Sequence, residues 1–114
     1  MIHFGRFKRT PEFIEWLESL DESVSGLLTA LLKKYSKDKM LPNTAGMLRD
    51  ADGVGEMRFD FGPGYRIYFC RYGGKIILLL LIGGIKKTQR ADVETAKVVK
   101  SRELRHLESK SGSK

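Results

Sequence analysis

The sequence predicts an α+β fold with the element order β-α-α-β-β-β-α: an antiparallel sheet, an N-terminal helical hairpin on one of its faces, and a C-terminal helix. Three observations predict it. Residues 13–35 carry two apolar stripes of helical period. Residues 56–70 alternate with a period of two around a Gly-Pro-Gly turn. A seven-residue apolar run, Ile76 to Ile82, then follows, too short for a membrane span and apolar on both faces, as a covered central strand would be.

Residues 1–8 are short and mixed, and read as an edge strand. Thr10-Pro11-Glu12 is a helix start: a hydroxyl to cap free N–H groups, a proline at the first helical position, and an acid at the positive dipole end. Phe13, Trp16, Leu17 and Leu20 share the face that follows. Asp21 is a second cap, leading into Val24, Leu27, Leu28, Leu31 and Tyr35. Two helices with almost no loop between them form a hairpin that needs a sheet beneath it. Residues 40–55 are rich in Gly, Pro and Asp and read as a loop. Met57, Phe59 and Phe61 alternate with Glu56, Arg58 and Asp60, and Tyr65, Ile67 and Phe69 alternate with Arg66, Tyr68 and Cys70, so Gly62-Pro63-Gly64 closes an antiparallel hairpin. Tyr72 to Lys75 is a second turn, and Gly83-Gly84 ends the third strand. Thr88 caps a last helix reaching about Leu107, with Val93, Ala96, Val99, Leu104 and Leu107 as a weaker apolar side.

With 114 residues, 41% of them hydrophobic, the chain suits one domain, placed at 1–108, with 109–114 expected as a disordered tail. A single cysteine, Cys70, excludes an intrachain disulfide, and with only two histidines no metal site or other cofactor is expected. Cys70 itself reads as a packed free thiol. No signal-peptide layout and no spanning segment are evident, so a cytoplasmic protein without membrane contact is expected.

The formal charge is +7, and all of the excess lies after Phe61: residues 1–21 are net −1, residues 22–61 are balanced, residues 62–85 carry three cations and no acid, and residues 86–114 are net +5. A basic half beside a neutral half points to a polyanion, most simply a nucleic acid. If Phe61 faces Tyr65 across the hairpin, Asp60 opposes Arg66 and Arg58 opposes Tyr68. The aromatic face then packs under the helices, and Arg58, Arg66 and Tyr68 form an open phosphate platform. The competing reading is a surface ion pair of Arg66 with Asp60, worth little. Lys86 and Lys87 follow the double glycine and approach the same face from the strand end, unless they merely solvate a loop.

The stretch from Asp52 to Phe69 (DGVGEMRFDFGPGYRIYF) resembles the core of the RelE/ParE toxin superfamily, and more narrowly its HigB-like, phage Gp49-like "addiction module killer protein" branch. Leu79 to Gln89 (LLLIGGIKKTQ) is similar to the branch's Gly-Gly-x-Lys-x-Thr-Gln segment, and Thr10-Pro11-Glu12-Phe13 with Trp16-Leu17 to its opening. The resemblance covers about residues 1–105.

It implies the toxin of a type II toxin–antitoxin module: a ribosome-dependent mRNA endonuclease that needs no metal and inhibits translation. In such a reaction the substrate's own 2′-hydroxyl attacks the adjacent phosphate. By the same resemblance Arg66 stabilises the phosphate, Arg58 holds the scissile region, and Lys86 completes the catalytic group. Tyr68, Lys87 and Arg90 are the expected RNA contacts. The implied partners are the ribosome, mRNA and a cognate helix-turn-helix antitoxin, with operator DNA reached only through that antitoxin. The sequence departs from the pattern at Ile85, where the branch has Asp, and at Val93, near which other members carry a tyrosine. The active region also contains no histidine, which leaves the general base unassigned. The alternative is a non-catalytic protein: a ParE-like gyrase-binding toxin, or a decayed toxin that only binds its antitoxin.

Overall fold

The structure is a computed structural model that describes residues 2–72 and 77–112, the stretch 108–112 by backbone alone. Its elements are β1 (Arg6–Arg9), α1 (Pro11–Ser19), α2 (Glu22–Asp38), β2 (Gly46–Met47), β3 (Gly55–Phe59), β4 (Tyr65–Tyr72), β5 (Ile77–Ile85), a 3₁₀ turn (Lys86–Thr88) and α3 (Gln89–Gly112). The α+β class and the element order are those expected, with one addition: the Gly-rich loop contains the short strand β2. The second expected turn lies mostly at 73–76, outside the described residues.

The helix starts follow their caps. Thr10 Oγ1 accepts the Phe13 N–H at 3.0 Å and donates to the Leu81 carbonyl at 2.6 Å, so one buried hydroxyl both starts α1 and ties it to β5. Asp21 accepts the Ser23 N–H at 3.2 Å at the start of α2. The last helix runs past the Leu107 end expected for it, to Gly112.

The sheet order is β1-β5-β4-β3-β2. All neighbours are antiparallel except β1, which runs parallel to β5 with Arg6 beside Ile77 and Arg9 beside Leu80. The expected antiparallel sheet holds for β2 to β5, and β1, expected as an edge strand, is at the edge but joins it in parallel. In the chain, α1 and α2 lie between β1 and the remaining strands.

Each face of the sheet carries its own core. On one face Phe13, Leu28 and Leu32 of the two helices pack over Met57, Phe59, Ile67, Phe69, Leu78 and Leu80. This is the aromatic side of the hairpin, as the alternation predicts. On the other face Ala96 and Val99 of α3 pack over Tyr68, Cys70, Leu79 and Leu81, joined by Ala51 and Val54 from the loop. β5 is therefore covered on both sides, which accounts for its unbroken apolar run.

Gly83 and Gly84 do not end β5; the strand continues through Ile85. At both, a side chain of a helix packs directly on the strand backbone. A Cβ on Gly83 would lie 2.2 Å from the Trp16 indole of α1. A Cβ on Gly84 would lie 1.9 Å from Asp92 Oδ2 of α3, on the opposite face. No described helix is long and apolar enough to cross a membrane.

Candidate functional site

The β3–β4 register places Phe59 opposite Tyr65, Arg58 opposite Arg66, and Glu56 opposite Tyr68. This differs by two residues from the expected pairing, because residues 60–64 form a longer turn with positive φ at Gly62 (57°) and Gly64 (78°). Asp60 is thus not the cross-strand partner of Arg66. Each strand keeps its alternation, so Glu56, Arg58, Arg66 and Tyr68 share the α3 face.

Two directly opposed arginines repel, and a carboxylate stands between them. Glu56 Oε1 is 3.9 Å from Arg58 Nε, and Glu56 Oε2 is 3.8 Å from Arg66 Nε. The Gln89 side-chain amide, in the first turn of α3, donates to the same Oε2. Arg66 also donates from Nη1 to the Tyr65 carbonyl at 3.1 Å, and Arg58 from Nε to the Thr44 carbonyl at 3.4 Å.

The face is not the open platform expected. α3 covers most of it, leaving the side chains of Arg66 and Glu56 each 7% exposed, while Arg58 remains 51% exposed. Tyr68 has no exposed surface at all. The expectation that Tyr68 stacks on an RNA base is therefore corrected: its ring belongs to the core beneath α3. Burial, reinforced by the Glu56 and Asp92 carboxylates, pushes its phenol well above the ordinary tyrosine range, so it stays protonated.

Two buried polar atoms here have no hydrogen-bond partner, Arg66 Nε and Tyr68 Oη. The 3.8 Å approach of Glu56 to Arg66 Nε is an ion pair and too long for a hydrogen bond. A buried donor left unmatched costs about 1–3 kcal/mol, so Arg66 is a cation with spare capacity for an anionic oxygen.

Lys86 comes to the same place. Its N–H donates to the Gly64 carbonyl at 2.7 Å. A Cβ on Gly64 would lie 3.2 Å from Lys86 Cβ and 3.5 Å from Arg66 Nη1, so the lysine stem and the guanidinium flank one glycine. Lys87 is exposed on the 3₁₀ turn. Arg90 is exposed on α3 and lines a separate groove with Arg49 and Lys97. The structure thus gathers Arg58, Arg66 and Lys86, and leaves Lys87 and Arg90 at the periphery.

Sequence reasoning named Thr88 as the cap of α3 but missed the roles of Glu56, Gln89 and Asp92. The Thr88 hydroxyl is 2.5 Å from Asp92 Oδ2 and also contacts the Ile85 carbonyl, which fixes the start of α3 over Gly84. Glu56 was legible in part: alternation puts it, with Asp60, on the face of Arg58 and Arg66. A buried carboxylate beside an under-partnered arginine and a lysine can take a proton and neutralise a phosphate within one small volume.

The chain is similar to known proteins in sequence and in fold. A 34% identical, uncharacterized protein of Haemophilus influenzae aligns over 96 residues, covering 82% of this chain and 91% of its own. Among solved structures, a free-state mutant of the E. coli toxin RelE superposes with a TM-score of 0.60 at 15% identity, covering 86% of this chain and 96% of that one. The toxin–antitoxin complex RelBE2 of Mycobacterium tuberculosis gives 0.58 at 14% identity, covering 73% and 99%. These two show that the fold is RelE-like. Residues 15–103 match the profile of the phage-derived protein Gp49-like family (DUF891), and the chain belongs to that family.

Proposed function

We propose that the protein is the toxin of a toxin–antitoxin pair and cuts mRNA on the ribosome without a metal. The observation that carries this reading is the buried Glu56–Arg66 pair, with Arg66 Nε unmatched and Lys86 beside it. In this reading the scissile phosphate takes the free donors of Arg66, and Arg58 holds the strand at the exposed rim. Glu56 takes the proton from the attacking 2′-hydroxyl. The new O–P bond forms as the bond from phosphorus to the 5′ oxygen breaks, and that oxygen leaves with a proton from Lys86. The products are a cyclic phosphate and a 5′-hydroxyl end. Gln89 occupies Glu56 in the free protein and gives way to the substrate hydroxyl.

The fold of RelE and the antitoxin-bound RelBE2 complex support a toxin with a protein antitoxin. The excess of cations after Phe61 supports an RNA partner. A second reading, a binding protein without catalysis, is favoured by the burial of Arg66 and Glu56, which also suits a purely structural ion pair.

Mapping new 5′ ends on transcripts after expression, with a translation-blocked control, separates the two. Cuts inside translated frames that vanish without translation, and are lost in Arg66→Ala, establish the nuclease. Growth arrest without cuts, persisting in Arg66→Ala, establishes the binder.

A further inference from the structure

Glu56 forms part of a groove of about 320 Å³ between the loop 43–48 and β3, with Arg58 at its side. That volume is at the small end of the roughly 300–1,000 Å³ typical of ligand sites. Its chemistry differs from that of the phosphate site. Beside Glu56 and Arg58 the wall is Asn43, Thr44, Ala45 and Gly46, with Met47 and Leu48 as its apolar part. The one acid and one cation in the lining already face each other at 3.9 Å, so the groove is close to neutral. The Asn43 side chain is exposed, and an amide offers the adjacent donor and acceptor that match the edge of a base. A Cβ on Gly46 would meet nothing within 4 Å, so open space lies over that position.

A second groove, also about 320 Å³, is lined by Leu48 together with Gln89, Arg90, Arg49 and Lys97. The two grooves share Leu48, one holding Glu56 and the other Gln89, which donates to it.

Taking the nuclease reading as its basis, we propose that the 43–48 groove holds the base of the nucleotide immediately 5′ of the cut, and that Asn43 and Gly46 set which base is accepted. The attacking 2′-hydroxyl belongs to that nucleotide. Its ribose must reach Glu56, and Glu56 is part of this groove. Single-stranded RNA with splayed bases is read by such contacts to base edges.

The test is the base composition at cut sites mapped for the wild type, Asn43→Ala and Gly46→Val. The wild type is expected to favour particular bases at the position 5′ of the cut. Gly46→Val, which adds a branched side chain at a lining position, is expected to deplete purines there about tenfold relative to pyrimidines, and Asn43→Ala to flatten the preference by a similar factor. Neighbouring positions should keep their composition. Identical composition at that position in all three proteins, or a change confined to the 3′ side, overturns the assignment while leaving the nuclease intact. Absence of cuts by the wild type overturns the nuclease reading and the groove with it. Circular dichroism checks the fold of Gly46→Val; if it fails to fold, the exposed Asn43 variant decides alone.

Discussion

Gly84 and Asp92 occupy what would be one side chain's space: the Asp92 carboxylate oxygen lies 1.9 Å from the point where a Cβ on Gly84 would sit. Gly83 has the same relationship with Trp16 on the other face, at 2.2 Å. Two adjacent glycines thus let one helix onto each side of β5. Gly84→Ala is expected to lift the first turn of α3 off the strand, at a cost of about 1–3 kcal/mol, and to separate Gln89 from Glu56. A melting temperature equal to wild type would refute the close approach.

Glu56 keeps Arg58 and Arg66 together. Glu56→Gln leaves both guanidinium groups without their counter-charge, one of them buried, so the variant should be less stable than wild type by about 3 kcal/mol at low salt. Inorganic phosphate should recover more of that loss in the variant than it adds to the wild type, read as a shift of the thermal midpoint. Under the nuclease reading, cutting by this variant falls about 10²–10⁴-fold.

Tyr68 carries a buried hydroxyl with no partner. Tyr68→Phe removes the unmet group and keeps the ring, so it should stabilise the free protein, by up to about 1 kcal/mol. Chemical denaturation at neutral pH measures this directly. A destabilised variant would show that the hydroxyl has a partner in solution.

The alkaline limb of stability follows from Cys70 and Tyr68. Burial pushes the Cys70 thiol up to about 11 and also raises Tyr68. Both groups stay protonated in the folded chain at pH values where the unfolded chain releases the proton. The Cys70 contribution is fully present below the unfolded thiol value near 9 and is lost as pH rises toward 11, whereas the Tyr68 contribution starts to fall only above the unfolded phenol value near 10. Cys70→Ala should flatten the first part of that decline in a pH series of unfolding curves. In the native protein the thiol should resist alkylation at neutral pH and react on unfolding.

Glu12 and Arg102 join the start of α1 to α3 through a two-pronged contact, with Glu103 as a second acid on the same guanidinium. The Arg102 hydrogen bond lowers the Glu12 pKa. The group's stabilising effect is present above the unfolded carboxyl value and fades as pH falls through the folded one. Both side chains are over a third exposed, so Arg102→Leu should cost only about 0.5–1 kcal/mol near neutrality. The gap from wild type should narrow in acid.

Much of this architecture is legible in the sequence because it is local. Thr10 and Asp21 mark their helices by side-chain chemistry, and the alternation from Glu56 to Cys70 assigns every strand residue to a face. What fails is whatever depends on length or distance. The five residues of the 60–64 turn move the register by two, which replaces an expected Asp60–Arg66 pair with Arg58 opposite Arg66. Strand β2 has two residues and no periodicity to read. Alternation puts Arg66 and Tyr68 on a face but says nothing of what lies above it. The weak apolar side of α3, Ala96 and Val99 at its centre, hides that this helix covers them. Glu56 escaped notice for the same reason, since its importance comes from Gln89, distant in sequence.

The parallel pairing of β1 with β5 has a consequence in time. Arg6–Arg9 find their partners at Ile77–Leu80, so the first strand made waits for the last. Pairings this distant in sequence close slowly. The α3 turn that meets Glu56 is made later still. During synthesis, therefore, a nascent chain carries the arginines long before it can arrange them. The order of manufacture gives a cell an interval in which this protein exists as polypeptide and not yet as a site.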